Sequence, residues 1–366
     1  MTAGDHSFVE NNTPPSGILP EGPHGVILPR AGVITSEVLD QMLVDQAKAP
    51  ESLGQMSGLR RDLGTPARVE ALDLHRTPQQ TRPKLSIIIV FHNMQREAAR
   101  TLYSLSAAHQ SGVTAQDYEI IAVDNGSAVP LAAEFVEGFG PNLRLIRHET
   151  TSVSPVAAIN LGVAAARGEA VAVIVDGARM ASPGIVARTI AAMTLADHPL
   201  VFARSWHLGP DVQNKTVPEG YDQTVEDALL EAADWRRDGY ALFGISTLAQ
   251  SSAGGFLGPM PSEFSWVALP RALFDALGGY DERFLAPGGG LVNHEFRNRA
   301  LAFPGVVAVQ ILGEGVFHQV HGGVATNVPR DRHPMASFRA EYLTLMGQAY
   351  AKTPVANPVL YGRAPL

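Results

Sequence analysis

The chain of 366 residues contains no cysteine. That absence excludes a disulfide framework, thiolate zinc sites, iron–sulfur clusters and a cysteine nucleophile. Charge is sparse and leans acidic: 28 Lys and Arg against 36 Asp and Glu, a net charge of -8. A broad nucleic-acid-binding face is disfavoured, although a local basic pocket stays open. Long hydrophobic runs are missing too. Leu85–Val90 and Ala170–Val175 fall far short of the roughly 18 apolar residues that span a bilayer. The start, MTAGDHSFVENN, lacks a basic region followed by an apolar stretch, so no secretory signal is expected and a cytoplasmic location is the reading. No GxGxxG follows the first strand and no GxxxxGK[ST] occurs, which disfavours a dinucleotide dehydrogenase or a P-loop enzyme. No internal repeat or low-complexity tract is visible.

What is present is a globular composition, 45% hydrophobic, enough for one large or two modest domains. Residues 1–33 are rich in Pro and Gly and read as an irregular arm. Ser36–Ala47 reads as a short helix capped by Ser36. The core starts after Pro83. LSIIIVF (85–91) is a β-branched run suited to a strand buried on both faces. A helix around Arg96–His109 follows, then YEIIAVD (118–124) as a second strand. Leu131–Phe139 is expected to be helical, Leu143–His148 a strand, Pro155–Arg167 a helix and Ala170–Asp176 a strand. Pro183–Leu195 continues as helix and Leu200–Ser205 as strand. This alternation with short connections indicates an α/β domain with a mostly parallel central sheet flanked by helices. Residues 206–265 differ, with the Gly/Ser/Pro-rich SSAGGFLGPMPSEF (251–264) expected to be loop. Arg271–Leu277 is a short helix, Val306–Leu312 a strand, Met335–Tyr350 a helix, and the tail beyond it irregular.

Ligands of open parallel sheets bind at the carboxyl ends of the strands. Strand one ends in Phe91-His92-Asn93, strand two in Asp124-Asn125-Gly126-Ser127, strand four in Asp176-Gly177-Ala178-Arg179. The ordered segments KLSIIIVFHN (84–93), EIIAVDNGS (119–127), NLGVAAARGEAVAVIVD (160–176) and GGYDERF (278–284) resemble family 2 glycosyltransferases of the GT-A fold. The resemblance covers roughly residues 84–323. It implies a Rossmann-like GT-A domain with an irregular N-terminal extension (1–83), a nucleotide-sugar-binding half (84–205), an acceptor-binding half (206–334) and a C-terminal helix and tail (335–366).

By that resemblance, Phe91, His92 and Asn93 pack on the nucleotide, with Glu97 following on the next helix. Asp124 with Asn125 hydrogen-bonds base or ribose; read alone, the same residues are a turn. Asn160 and Arg167 border base and diphosphate; read alone, they decorate the ends of a helix. Asp176 stands where the family carries an acidic cluster, usually Asp-x-Asp, that holds a divalent ion on the diphosphate. Here the second acid is missing. His318 or His321, in FHQVHGG (317–323), is able to complete the site, and imidazole suits Mn²⁺ better than Mg²⁺. As plain loop residues both would be solvent-facing or hydrogen-bonded. Arg179 is an alternative charge partner for the diphosphate. The family's acceptor-side Glu-Asp pair, whose Asp acts as general base with inversion at the anomeric carbon, aligns with Val292-Asn293. Asparagine cannot act as a base. Glu295 or His294 is then the substitute, or the base comes from elsewhere, for example Glu263 or Asp281.

Several features carry bland readings. Asp222, Glu226, Asp227 and Glu231 are spaced like one solvated helix face. Glu295 and Arg297 fit another. His109 and His148 read as solvated. Trp206 and Trp266 either stack on a sugar or base or are buried. The function implied is transfer of a sugar from a nucleotide-diphospho-sugar, with UDP the commonest nucleotide, to a carbohydrate, small-molecule or lipid-linked acceptor hydroxyl, assisted by a divalent metal ion (Mn²⁺ or Mg²⁺). The alternatives are a GT-A domain that binds nucleotide but has lost transfer, and a metal-dependent sugar-phosphate hydrolase. The N-terminal arm could make a homodimer, cap the site or contact a partner.

Overall fold

A computed structural model describes residues 82–249, 256–257, 260–354 and 357–363. The arm expected over 1–33, the helix expected at Ser36–Ala47 and most of the extension to residue 83 lie outside the described residues, as does much of the Gly/Ser/Pro-rich stretch.

Strands β1 (Leu85–Phe91), β2 (Tyr118–Asn125), β3 (Leu143–His148), β4 (Ala170–Ile174) and β5 (Arg179–Ala181) alternate with helices α1 (Gln95–Leu105), α2 (Ala133–Glu137) and α3 (Val156–Ala164). Then come α4 (Ile185–Ala192), β6 (His198–Leu208), α5 (Gln213–Thr216), α6 (Gln223–Ala233), α7 (Ala241–Gly244) and β7 (Ser246–Leu248). The remainder is β8 (Val267–Pro270), α8 (Arg271–Leu277), α9 (Val292–Ala302), β9 (Val306–His318), α10 (Met335–Met346) and β10 (Val359–Gly362). The strands form one sheet among the described residues, in the order β10-β9-β6-β8-β4-β1-β2-β3. β5 joins its β9 side and β7 its β6 side.

The sheet is covered on both faces, and the side-chain period of two shows it. Leu85, Ile87, Ile89 and Phe91 pack in one core with Leu102, Leu105 and Trp266. Ile88 and Val90 point to the other core, with Ile159, Phe274 and Phe296. β4 repeats the division, with Ala170, Ala172 and Ile174 on one side and Val171 and Val173 on the other. Continuous β-branched runs are therefore the correct signature of these strands. β1, β2, β3 and β4 pair in parallel, which brings their carboxyl ends to one edge. The mixed part begins at β8, antiparallel to both β4 and β6.

Four expectations need correction. The tail is not wholly irregular: β10 adds to the sheet edge in parallel with Val309–Leu312 of β9. The strand expected at Val306–Leu312 runs on to His318, with a register break where β6 passes from Phe202 to Arg204. β8 is a strand that its short, proline-ended sequence VALP did not announce. His109 is not simply solvated, since its ring lies 5.4 Å from Tyr103 and 5.7 Å from Trp235. Of the two tryptophans weighed as stacking candidates, Trp266 is buried and its indole N–H donates to Thr189 Oγ1 at 3.1 Å, while Trp206 packs edge-on against Phe243.

Candidate active site

The strand ends are tied into one rim. Asn93 adopts a left-handed conformation, φ 53°, which asparagine tolerates better than most residues. Its Oδ1 accepts the Ala128 N–H at 2.8 Å and its own N–H donates to Ser127 Oγ at 2.9 Å. His92 Nδ1 lies 2.8 Å from the Asn125 carbonyl oxygen, so that nitrogen carries the proton. Asn125 in turn donates to the Ser154 carbonyl at 3.1 Å and faces His148 Nδ1 at 2.9 Å. His148 is therefore part of the rim rather than a solvated surface residue. Asp124 spends its two oxygens on the N–H groups of Ser127 and Leu131, at 3.0 and 2.9 Å. Its observed contacts close the loop. Phe91 is buried in the core, and Glu97 is buried beneath the rim, bonded to Arg96 and Gln223.

Asp176 follows β4 at the same edge. Gly177 comes next because nothing larger fits: a Cβ there would lie 2.6 Å from Phe91 Cε1 and 2.7 Å from the Val90 oxygen. The turn at Gly177 feeds β5, whose Arg179 pairs with His318 at the end of β9. On the other side of β9, His207 of β6 also pairs with His318. This register delivers His318 to Asp176. Its Nε2 lies 2.9 Å from Asp176 Oδ2, and His321 Nε2 lies 3.5 Å from the same oxygen. The two imidazole Nε2 atoms are 3.2 Å apart. Arg179 approaches Asp176 Oδ2 at 3.7 Å and donates to Ser205 Oγ at 2.9 Å. Ala178, at the place of the family's second acid, is fully buried, and its carbonyl accepts the Gln319 N–H at 2.9 Å.

The electrostatics follow from this crowding. Burial alone would raise the Asp176 carboxyl, but the neighbouring imidazoles, His321 foremost, hold it well below its ordinary value. Burial pushes His318 down to about 3 against the pull of Asp176. His321 is also desolvated, yet Asp176 raises it above the ordinary imidazole range. The buried His207 is pushed down to about 4, by burial first and by Arg179 second. Asp176, His318 and His321 each offer a ligand atom, all within 4.8 Å of one another. A carboxylate and two imidazoles converging in this way fit a divalent cation that accepts nitrogen as well as oxygen, as Mn²⁺ does.

The loop bearing both histidines is clamped from below. Glu226 accepts the Val320 N–H at 2.8 Å, and it is fully buried against Arg96 and Arg100 of α1. The solvated-face reading of the acidic helix therefore fails at Glu226. Asp222 has a separate job as N-cap of α6, accepting the Thr224 and Val225 N–H groups. Gln319 Nε2 donates to the Glu97 carbonyl at 3.2 Å.

Other sequence candidates are not part of this cluster. Arg167 sits at the opposite edge of the sheet, before β4, where it binds Glu119 at the start of β2. Its proposed place beside the diphosphate is corrected on that ground. Asn160 donates to the Tyr280 carbonyl at 2.8 Å and to Glu282 at 3.0 Å. It lines an open cavity of about 550 Å³ with Tyr280, Asp281, Glu295 and Arg299. Glu295 is locked there in a two-point ion pair with Arg299, at 2.8 and 2.6 Å. Neither Glu295 nor Arg297 forms a solvated face; both are buried. Asn293 donates to the Phe264 carbonyl at 2.6 Å, and its Oδ1 is buried without a partner. His294 packs edge-on against Tyr350, with Nδ1 3.9 Å from Glu263 Oε2. Asp281 is held by Arg283 at 2.6 Å.

Sequence reasoning did not find Gln213, Asn327, His207 or the Glu226 clamp. Each acts through at least one partner remote in the chain, and none belongs to a motif.

The family model of glycosyl transferase family 2 matches residues 86–187. No curated protein matches the chain. Among solved structures, it is similar to S. aureus TarS 1-349, at 16% identity and a TM-score of 0.42, over 62% of this chain and 57% of that one. The matched part thus spans less than two thirds of that TarS chain. TarS 1-349 in complex with UDP-GlcNAc aligns over 71% of this chain and 66% of its own, at 16% identity and a TM-score of 0.41. The mannosyltransferase PcManGT from Pyrobaculum calidifontis, in complex with GDP-Man and Mn²⁺, aligns over 76% and 68%, at 15% identity and a TM-score of 0.43.

Proposed function

Because residues 86–187 form a glycosyl transferase family 2 domain, we propose that this glycosyltransferase moves a sugar from a UDP-sugar to an acceptor hydroxyl with inversion, assisted by Mn²⁺. The observation that carries the reading is the convergence of Asp176, His318 and His321 at the carboxyl edge of the parallel strands. Asp176, His318 and His321 would hold the ion. When bound, a divalent ion offsets the negative charge that develops on the leaving diphosphate.

The donor half is assigned to residues 84–205 and the acceptor half to 206–334. The division falls inside β6, so the two halves share a strand. The loops ending in His92-Asn93 and Asp124-Asn125 form the wall for base and ribose. Arg179 faces the diphosphate from β5 and supplies positive charge beside Asp176. Glu263 is the general base, with His294 beside it. The support is one of elimination: Glu295 and Asp281 are each committed to an arginine, Asn293 has no basic lone pair to offer, and His294 Nδ1 is buried. No described helix is long and apolar enough to cross a membrane.

A second reading is a domain that binds nucleotide without transferring a sugar. Asn293 at the acid position and the locked Glu295 favour it. One experiment separates the two. Thermal shifts with UDP, GDP and TDP, each with and without Mn²⁺, are followed by product analysis with the matching nucleotide-sugar. A Mn²⁺-dependent shift with one nucleotide and turnover of its sugar support the first reading. A shift with neither transfer nor donor hydrolysis supports the second. No shift with any nucleotide removes the donor-site assignment.

A further inference from the structure

His318 presents one nitrogen to Asp176 and the other to Gln213. The proton resides on one of them in the neutral ring, and the network around Asn327 decides which. Asn327 Oδ1 faces three successive backbone N–H groups, those of His321, Gly322 and Gly323, at 3.1, 2.9 and 2.9 Å. Only an oxygen can accept them, so the Asn327 amide has one allowed orientation. Its Nδ2 then donates to Gln213 at 2.8 Å, which makes that Gln213 atom Oε1. The opposite end of the Gln213 amide confirms this, because it meets the His318 carbonyl at 3.0 Å and must be the nitrogen. Gln213 Oε1 lies 2.7 Å from His318 Nδ1. An acceptor there requires a proton on Nδ1. The Nε2 lone pair is then left to accept from His321 Nε2 at 3.2 Å, beside Asp176 Oδ2 at 2.9 Å.

We propose that Asn327 and Gln213 are positioning residues that fix the His318 tautomer, so that its Nε2 lone pair is presented to the ion held with Asp176 and His321. The inference rests on the metal reading above for its purpose, though not for its geometry. Gln213 and His318 are both fully buried, so water does not substitute for either partner. The same loop that carries His321 supplies the N–H groups that orient Asn327. A ligating histidine is commonly oriented by a partner on its other nitrogen, and losing that partner typically costs 10–100-fold in metal affinity.

The test uses the full chain with ¹⁵N-labelled histidine, free of metal and near neutral pH. Nitrogen chemical shifts distinguish protonated from bare ring nitrogens. His318 is expected to show Nδ1 protonated and Nε2 bare. Gln213→Met is expected to mix the two tautomers and to weaken Mn²⁺ binding, titrated with the metal alone, by roughly 10–100-fold. Should Gln213→Met fail to fold, Asn327→Asp carries the test. It keeps the acceptor for the loop N–H groups but presents an oxygen to Gln213 Oε1, which removes the hydrogen bond holding that amide and is expected to mix the His318 tautomers as in Gln213→Met. A protonated Nε2 in the wild-type protein overturns the proposal. So does a variant whose tautomer and Mn²⁺ affinity stay within twofold of wild type. A wild-type protein with the expected tautomer that binds no Mn²⁺ overturns the metal reading, and with it the purpose assigned to the relay.

Discussion

His318 lies 142 positions beyond Asp176 in the chain, yet its Nε2 stands 2.9 Å from the Asp176 carboxylate. The pairing of β5 with β9 makes the distance short, since Arg179 and His318 are register partners. Asp176→Asn keeps the shape and removes the one negative charge of the donor set. Transfer is expected to fall at least 100-fold, about 3 kcal/mol of transition-state stabilisation. The nucleotide-induced thermal shift should also lose its Mn²⁺ dependence. A variant that retains that dependence places the ion elsewhere.

Glu263 and Glu295 are separated by their partners. Glu263→Gln is expected to lower kcat by roughly 10²–10⁴-fold with the fold intact, as for loss of a general base. Glu295→Gln breaks a largely buried pair with Arg299 and should act on stability instead, by about 1–3 kcal/mol, with kcat within a few fold. Paired kinetics and urea unfolding decide between them. The opposite pattern would return the base to Glu295.

Gly177 is expected to tolerate no side chain. Gly177→Ala forces a methyl group against Phe91 and the Val90 carbonyl. The cost should be about 1–3 kcal/mol, the range for an overpacked core. A denaturation midpoint unchanged from wild type would show that β1 can give way.

Glu226→Ala removes the buried carboxylate that Arg96 and Arg100 share, leaving them Asp227 and, for Arg96, Glu97, and frees the Val320 N–H beneath the histidine loop. Loss of the charged acceptor, with the Val320 N–H left unpaired, costs about 1–3 kcal/mol. Chemical denaturation should register a loss of that size. Hydrogen exchange at Val320 should quicken with it, and unchanged exchange would show that the loop does not depend on this carboxylate.

Stability of the metal-free protein is expected to respond to acid through His207 and His318. Burial sets both folded values, about 4 and about 3, below the ordinary imidazole range. The unfolded chain takes up these protons as pH falls through about 6.5, and the folded chain does not until far lower. The unfolded state thus binds more protons in this window, and stability falls as pH drops from 6.5 towards 4. Glu226, raised by burial to about 7, works in the other direction over part of the range. The comparison is therefore made between wild type and His207→Gln. Urea midpoints from pH 7 to pH 5 should fall less steeply in the variant. Equal slopes would mean that His207 is already charged or solvated in the native state.

Most of the sheet was legible because its strands are buried on both faces. A run such as Leu85–Phe91 has one reading when every position is apolar and β-branched residues dominate. The edges were less legible. Val267–Pro270 is too short to show a period, and Val359–Gly362 gains its strand character only by lying along β9. At the site, Asp176, His318 and His321 could be proposed from their order in the chain. Gln213 and Asn327 could not. Their contact joins positions 114 apart, on a four-residue helix and in a glycine-flanked loop, neither of which carries a pattern. The acidic face of α6 misled for a related reason. A spacing of four places carboxylates on one side of a helix but says nothing of what packs there, and the arginines of α1 do.

The burial of Ala178 bears on how the ligand set can change over generations. Its methyl group is enclosed, and its backbone is tied to Gln319, next to His318. A carboxylate introduced there would be desolvated beside the glycine turn, at a cost of several kcal/mol unless a cation met it at once. A single step to the two-acid pattern therefore passes through a damaged intermediate. The histidine arrangement is entrenched: an acid at position 178 needs room opened around that enclosed side chain before the charge arrives.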